Sequence, residues 1–179
     1  LTQGVYELGS TFKIFSTAAF LEQDDTSLTD TFDARKPLKR YGHTISDYHP
    51  EERILTVPET FMYSSNIGSA LMAEAIGTEK LKDFFQSIRL FDPVNPEIIE
   101  TGQPLIPSPW RDINTLTASY GHGIAITPLQ LITAVAAIIG DGTLPQPTLI
   151  KSLRLQDKKS STPAPAYMKD QVVKPATTN

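Results

Sequence analysis

The chain has 179 residues, of which 40% are hydrophobic and 20% are charged, as expected for a soluble globular domain with a sizeable core. Its net charge of −4 at pH 7 offers no basic surface for nucleic acid, so we expect no nucleic-acid partner. The absence of cysteine excludes disulfides, thiolate nucleophiles and cysteine-based zinc sites, and no run of about 18 apolar residues could span a membrane.

The first predicted element is a helix over residues 10–21. It is apolar around most of its circumference, which favours a buried position at the centre of the fold. The polar stretch 23–57 predicts surface excursions with one short strand near His43–Ile45. Pro58 then suits the first position of a short helix over residues 58–63.

Two more helices are predicted from apolar spacing, one over residues 67–76 and the next over residues 79–88. Five prolines between residues 92 and 109 exclude regular structure and indicate a long connection. Trp110 and Arg111 follow it and are expected to pack at the start of a helix.

The strongest helix signal begins at Thr127. Thr127 and Gln130 have the spacing of a capping box, and Pro128 occupies the first helical position. An apolar run follows, and Gly140 and Gly142 end it.

The end of the chain changes in composition. Residues 148–155 could form a strand, and after them Lys, Ser, Thr, Pro and Ala predominate. We therefore divide the chain into a domain over residues 1–155 and a polar linker or truncated end segment over residues 156–179.

A basic side chain interrupts the first helix. Lys13 lies between Phe12 and Ile14, three residues after Ser10, so the amine and the hydroxyl share one helical face. Burial among apolar neighbours lowers the pKa of a lysine, and a neutral amine can accept a serine proton. The N–H groups at the helix start could face a developing oxyanion. A serine cap beside an extended lysine is the ordinary alternative, because Ser-x-x-Lys alone is a weak signal.

A second motif supports the catalytic interpretation. Ser64-Ser65-Asn66 is the only Ser-x-Asn in the chain and lies between two predicted helices. A loop there could bring a hydroxyl and an amide to Ser10 and Lys13. By itself the motif favours a helix cap, because Ser and Asn are preferred capping residues.

Three extended stretches resemble the transpeptidase domain of class B penicillin-binding proteins, in particular the division-specific, FtsI-like enzymes. They are GVYELGSTFKIFSTAAFLE (4–22), TVPETFMYSSNIGSALMAEAIG (56–77) and SYGHGIAITPLQLITAVAAIIGDG (119–142). This family combines Ser-x-x-Lys, Ser-x-Asn and Lys-Thr-Gly motifs. The likeness covers most of residues 4–155, and the three stretches occur in the family's order and spacing.

The resemblance implies a role for each matching residue. Ser10 would be the acylated nucleophile and Lys13 its proton acceptor. Ser64 would relay a proton, and Asn66 would hold the substrate amide. No cofactor or metal is implied.

The resemblance also implies a fold and a setting. The fold would be α+β, β-lactamase/transpeptidase-like, with a mostly helical lobe and an incomplete antiparallel sheet. The substrates would be peptidoglycan stem peptides ending in D-Ala-D-Ala, β-lactam antibiotics would acylate the same serine, and cell-division membrane proteins would be partners. The location would be the cell envelope, as the periplasmic domain of a single-pass inner-membrane protein.

One departure from the family pattern is large. No Lys-Thr-Gly or Lys-Ser-Gly occurs in the 179 residues. We therefore expect a fragment that lacks its C-terminal strands and is a poor catalyst or none. A serine β-lactamase and a non-catalytic penicillin-recognising sensor or scaffold remain alternatives.

The three histidines suggest no metal site. His43, His49 and His122 lack the spacing of metal ligands, and the chain has no cysteine to complete such a site. His122 belongs to a loop that in the family lies near the active site, and a structural or rim position is expected for it.

Overall fold

The central element is the helix predicted near the start of the chain. The computed structural model describes residues 1–94, 97–149 and 167–178. A 3₁₀ turn, Gly9–Phe12, leads directly into helix α1, Lys13–Leu21. Phe12, Phe15 and Ala19 are fully buried, which confirms that this segment lies inside the core.

Seven α-helices and six strands are found in the described part of the chain. The helices are α1 (Lys13–Leu21), α2 (Val57–Met62), α3 (Asn66–Ile76), α4 (Thr78–Ser87), α5 (Asp112–Ala118), α6 (Pro128–Ile139) and α7 (Pro175–Thr178). The strands are β1 (Thr31–Asp33), β2 (Leu38–Arg40), β3 (His43–Ile45), β4 (Ile54–Thr56), β5 (Thr143–Pro145) and β6 (Tyr167–Gln171).

The main core forms where α2, α3, α4 and α6 pack around α1. Phe12 makes edge-to-face contacts with Phe15 and Phe85, with ring centroids 5.3 and 6.2 Å apart. Removing such a side chain from water stabilises the folded state by about 1.5–3 kcal/mol. The packing therefore fixes the start of α1, where Ser10 and Lys13 lie.

The strands form three separate antiparallel pairs, β1–β4, β2–β3 and β5–β6. In the β2–β3 hairpin, Leu38 pairs with Ile45 and both are buried in a second cluster with Ile67 of α3. This contact holds the end of β3 close to the beginning of α3. The predicted α+β class is confirmed, with a mostly helical body and small antiparallel sheets.

The helix predictions agree with the structure to within one residue at each end for α2, α3 and α4. The capping box before α6 is also confirmed. The Gln130 N–H donates to Thr127 Oγ1 at 3.1 Å, and the Thr127 N–H donates to Gln130 Oε1 at 2.9 Å. Arg111 is the residue before α5, as expected for a helix start there.

Most of the described strands carry too weak a sequence signal to be predicted. The strand at His43–Ile45 is confirmed, but β1, β2 and β4 also lie within 23–57 and were predicted as surface excursions. Each has three residues, too few for an alternating pattern to emerge. Thr148 and Leu149 are not in a strand, and the rest of the predicted strand 148–155 lies outside the described residues.

The predicted polar linker or truncated end segment over 156–179 contains regular structure within its described residues. Residues 167–171 form strand β6, which pairs with β5, and Val173 is 1% exposed. The Lys174 amine donates to Asp24 Oδ1 at 2.7 Å. Residues 167–178 are thus anchored to the rest of the fold, and the division of the chain at residue 155 stays a prediction.

No helix of the described ranges is both long and apolar enough to cross a membrane.

A tight turn supports the residue before Ser10. Gly121 has φ of +79° and lies so close to Gly9 that a Cβ on it would be 2.2 Å from the Gly9 carbonyl oxygen. The Ser16 hydroxyl of α1 donates to the Ser119 carbonyl oxygen of the same turn at 2.8 Å. Residues 119–123 therefore form a backing for the start of α1.

We expect Gly121→Ala to destabilise the fold more than Gly123→Ala. Both glycines have φ near +80°, where alanine costs about 1–2 kcal/mol. Among the described residues, a Cβ at Gly123 meets only Thr117 Oγ1 at 3.9 Å, whereas one at Gly121 overlaps the Gly9 backbone. This overlap should lower the free energy of unfolding of Gly121→Ala by about 1–3 kcal/mol more, as measured by urea unfolding. Equal losses in the two variants would contradict this account of the turn.

Candidate active site

The candidate site begins in the 3₁₀ turn before α1. Gly9 has φ of +55°, and this turn leaves Ser10 exposed while the next residues enter the core. Lys13 follows one turn later as the first residue of α1 and is only 2% exposed. The hydroxyl is therefore accessible to a substrate, whereas the amine is enclosed by protein.

The amine of Lys13 is surrounded by oxygen atoms. Its Nζ lies 3.0 Å from Ser10 Oγ, 2.9 Å from Ser64 Oγ, 2.5 Å from the Ser64 carbonyl oxygen and 2.8 Å from Asn66 Oδ1. Ser64 and Asn66 are more than 50 residues away in sequence. The structure thus brings all four predicted site residues together around one nitrogen.

The chemistry of these oxygens indicates what the amine can do. The Ser64 carbonyl and the Asn66 amide oxygen can only accept hydrogen bonds, so they occupy two N–H groups of Lys13. A neutral amine then has its lone pair left for a hydroxyl proton. Ser10 Oγ and Ser64 Oγ are the two hydroxyls within reach. This is the geometry required for proton transfer from a serine.

Electrostatics favour the neutral amine. Burial lowers the pKa of Lys13 from 10.5 to about 8, and the negative charge of Asp47 opposes part of that shift. A substantial neutral fraction is therefore present at mildly alkaline pH. An enclosed lysine with a lowered pKa beside a serine hydroxyl is a recognised signature of an activated nucleophile.

The second motif lies in a strained turn between α2 and α3. Ser64 has φ of +54°, a left-handed conformation that costs a residue with a side chain about 1–3 kcal/mol. This backbone points both the carbonyl and the hydroxyl of Ser64 at the Lys13 amine. Ser65 caps α3, because its Oγ accepts a hydrogen bond from the Gly68 N–H at 2.9 Å. Ser65 thus has the capping role, and Ser64 and Asn66 face the site.

Two residues that sequence analysis missed hold this turn. Asp47 accepts hydrogen bonds from the Ser65 hydroxyl at 2.7 Å and from the Ile67 N–H at 2.9 Å. The Ser46 carbonyl oxygen accepts one from Asn66 Nδ2 at 3.0 Å. Nothing in the local pattern distinguishes Asp47 from the other acids of a polar stretch, so only its position after β3 could have suggested it.

His122 lies in the turn that supports Gly9. Its side chain is exposed, and its ring centroid is 6.0 Å from that of Tyr120. Burial raises the pKa of the Tyr120 hydroxyl. The expected rim or structural position of His122 stays a prediction.

Comparison with known proteins identifies the family of the chain. The family model of the penicillin binding protein transpeptidase domain matches residues 1–179. The chain belongs to this transpeptidase family. The resemblance stated from the three sequence stretches is therefore confirmed.

Curated relatives match most of the length of this chain. The "Probable peptidoglycan D,D-transpeptidase FtsI" of Caulobacter vibrioides is 40% identical over 149 residues, which cover 83% of this chain and 25% of the relative. FtsI of Escherichia coli is 30% identical over 75% of this chain and 23% of its own length. The chain thus spans about a quarter of the length of the curated relatives it matches.

Solved structures share the fold. The apo TP domain of penicillin-binding protein 3 from Burkholderia pseudomallei has a TM-score of 0.82 at 26% identity, over 99% of this chain and 51% of that one. Penicillin-binding protein 3 of Mycobacterium tuberculosis, complexed with aztreonam, has a TM-score of 0.88 at 23% identity, over 99% and 40% of the two chains. The predicted penicillin-binding transpeptidase fold is confirmed.

The buried amine should make stability depend on pH. Between about pH 8 and pH 10.5 Lys13 is neutral in the folded chain but still protonated in the unfolded chain. The unfolded state then binds more protons, so the free energy of unfolding rises with pH across this window. Urea unfolding at a series of pH values gives the free energy of unfolding of wild type and of Lys13→Met. The difference between the two curves isolates the contribution of Lys13.

We expect the free energy of unfolding of wild type, minus that of Lys13→Met, to rise from about pH 8 to pH 10.5 and to be level outside that range. Lys36→Met, at an exposed position, controls for the loss of one lysine. A difference that is flat throughout would show that the Lys13 amine is as well solvated in the folded chain as in the unfolded one.

Proposed function

We propose that this chain carries the acylating part of a peptidoglycan D,D-transpeptidase, in which Ser10 is the nucleophile. The observation that carries the proposal is the enclosed Lys13 amine, 3.0 Å from Ser10 Oγ and bonded on its other sides to acceptor oxygens. The names of the relatives, among them FtsI of Escherichia coli, support the reaction class.

The reaction begins with proton transfer from Ser10 to Lys13. As the hydroxyl proton moves to Nζ, Ser10 Oγ bonds to the carbonyl carbon of the penultimate D-alanine in a stem peptide. Backbone N–H groups at the start of the helical turn stabilise the oxyanion. The short Ser10–Lys13 distance allows this transfer without an intervening water.

The second motif serves the collapse of the tetrahedral intermediate. Ser64 Oγ is 2.9 Å from Lys13 Nζ, so it can take the proton from the amine and deliver it to the leaving nitrogen. The bond between the carbonyl carbon and that nitrogen breaks, and terminal D-alanine departs. Asn66, with its side chain already held beside Lys13, is positioned to bind the substrate amide.

The acyl group then passes to a second stem peptide. Its amine attacks the ester carbonyl of Ser10, loses a proton and displaces Ser10 Oγ, which recovers its hydrogen. The product is a peptide cross-link. A β-lactam acylates the same serine but leaves no departing amine, because the cleaved bond lies within its ring.

The proposed location follows from the substrate. Peptidoglycan lies in the cell envelope, so the chain would be the periplasmic domain of a single-pass inner-membrane protein. Cell-division membrane proteins would be its partners, which the FtsI name of its relatives supports.

The 179 residues alone should acylate poorly. They contain no Lys-Thr-Gly or Lys-Ser-Gly, the motif that in this family meets the substrate carboxylate and supplies one oxyanion donor. Removing one such donor costs about 10²–10³ in rate. A longer form that includes this motif is therefore the protein to test.

A β-lactam should add one drug mass to that longer form, on Ser10. Intact-mass spectrometry with peptide mapping measures the adduct, and Ser10→Ala should abolish it. Lys13→Ala should also abolish labelling while circular dichroism shows a retained fold, because the nucleophile has lost its base. An adduct lifetime of hours fits a transpeptidase and one of seconds a β-lactamase. Labelling that survives Ser10→Ala would contradict the proposal.

The role of Ser64 can be separated from its strain with two substitutions. Ser64→Ala and Ser64→Gly both remove the hydroxyl and should slow acylation by about 10²–10⁴-fold. Only glycine relieves the left-handed backbone, so Ser64→Gly should be about 1–2 kcal/mol more stable than Ser64→Ala in urea unfolding. Wild-type acylation rates in both variants would exclude a proton relay through Ser64.

A further inference from the structure

The segment after β3 makes the contacts that hold the second motif. Strand β3 is fixed because Ile45 is 4% exposed and packs in the cluster that includes Ile67 of α3. Ser46 and Asp47 follow directly and face the start of α3. The hairpin thereby places a carboxylate and a carbonyl beside the motif.

Both oxygens of the Asp47 carboxylate are used there. Oδ2 accepts the proton of the Ser65 hydroxyl, and Oδ1 accepts the N–H of Ile67. Ser65 is 2% exposed, and its Oγ also accepts the Gly68 N–H. Because the hydroxyl has a single proton, the carboxylate determines its direction and leaves the Ser65 lone pairs to cap α3.

The same segment orients Asn66. Its Nδ2 donates to the Ser46 carbonyl oxygen at 3.0 Å, which leaves Oδ1 to accept from Lys13 at 2.8 Å. If the Asn66 amide were flipped, its oxygen would face the Ser46 carbonyl oxygen and its N–H₂ group would face the Lys13 amine, so both hydrogen bonds would be lost. The 46–47 segment therefore determines which atom of Asn66 meets Lys13.

Ser64 needs this support because its backbone is strained. A residue at φ of +54° relaxes unless its neighbours are held. Lys13 holds the Ser64 carbonyl, and Asp47 holds the next residue, Ser65, and Ile67 beyond it. The strained residue lies between these two anchors.

Asp47 also acts on Lys13 through its charge. Among the described residues, its carboxylate is the one whose charge raises the pKa of the Lys13 amine against the effect of burial. Acids on the helices around α1 bond elsewhere or lie exposed: Glu59 with Arg53, Glu74 with Arg40, Glu79 with Lys82, and exposed Asp83.

We propose that Asp47 is a positioning residue of the acylation site, whose carboxylate holds Ser65 and the first turn of α3 so that Ser64 and Asn66 present their oxygens to Lys13. The role deepens the proposed function and rests on it. Asp47 touches no reacting atom; it acts through Ser65 and Ile67.

The test follows Lys13 and Asn66 directly by NMR in the 179-residue chain. The ε-carbon of ¹³C-labelled lysine reports the titration of Lys13, assigned as the signal missing from Lys13→Met. The side-chain N–H₂ signals of ¹⁵N-labelled asparagine report the environment of Asn66. Neither signal requires the chain to be catalytically active.

In Asp47→Asn, the Lys13 titration midpoint should fall below its wild-type value near pH 8, because a neighbouring negative charge is lost. The Asn66 N–H₂ signals should shift as well. Asp33→Asn is the matched control, because Asp33 is exposed and pairs with Arg35 away from the motif, so both signals should keep their wild-type values. A Lys13 midpoint and Asn66 signals unchanged in folded Asp47→Asn overturn the proposal.

Ser65→Ala supplies a second variant should Asp47→Asn unfold. It removes the hydroxyl that binds Asp47 but keeps the carboxylate charge and the Ile67 contact. The Asn66 signals should shift, whereas the Lys13 midpoint should stay near wild type. Unchanged Asn66 signals in this variant also overturn the positioning role.

The rate at which a β-lactam acylates the longer form tests whether the role of Asp47 matters for function. Asp47→Ala should acylate about 10²-fold more slowly, because it displaces the groups around Lys13. In Asp47→Asn the pH midpoint of the acylation rate should move down with the Lys13 titration, a shift that general destabilisation would not produce. If the NMR results hold but wild type is not acylated, the proposed function fails while the positioning of Lys13 and Asn66 by Asp47 stands.

Discussion

The burial of one amine is the constraint on which the rest of the site depends. Lys13 is 2% exposed, yet its Nζ has four oxygen neighbours. A buried nitrogen without such partners would be strongly destabilising. The second motif therefore has a structural task as well as a proposed chemical one, because its oxygens satisfy the group that α1 carries into the core.

This arrangement links parts of the chain that are far apart in sequence. The packing of α1 against α3 brings the Ser-x-x-Lys turn to the Ser-x-Asn turn, and the β2–β3 hairpin reaches the same place through the second core cluster. The turn at Gly121 supports the residue before Ser10 from another direction. Three separate segments thus converge on Ser10 and Lys13, and none of them could hold the geometry without the core between them.

The parts of the fold with strong local sequence signals are the ones that could be predicted. The helices have apolar spacing, capping residues and prolines that act within a few residues, so α2, α3, α4 and α6 were predicted closely. Ser10, Lys13, Ser64 and Asn66 were found because their motifs are embedded in longer family-like stretches. The structure places all four side chains around one nitrogen, while their chemical roles stay proposals.

The features that were not predicted depend on contacts between residues that lie far apart in the sequence. Asp47 contacts residues 18 and 20 positions away, and its own neighbours carry no pattern that indicates this. Strands β1, β2 and β4 have three residues each, and their identity depends on a partner strand rather than on composition. Strand β6 follows a polar, low-complexity stretch, so composition indicated a linker where pairing with β5 produces a strand.

The close approach of Gly9 and Gly121 has a consequence for how this protein can diverge. Gly9 has a left-handed backbone, but no atom of the described residues other than its chain neighbours lies within 4 Å of where its Cβ would stand, so asparagine, which tolerates that conformation, could replace it. Gly121 has the same handedness and no space at all. Of the two glycines that face each other behind Ser10, Gly9 can therefore be substituted during evolution, whereas Gly121 has to remain glycine.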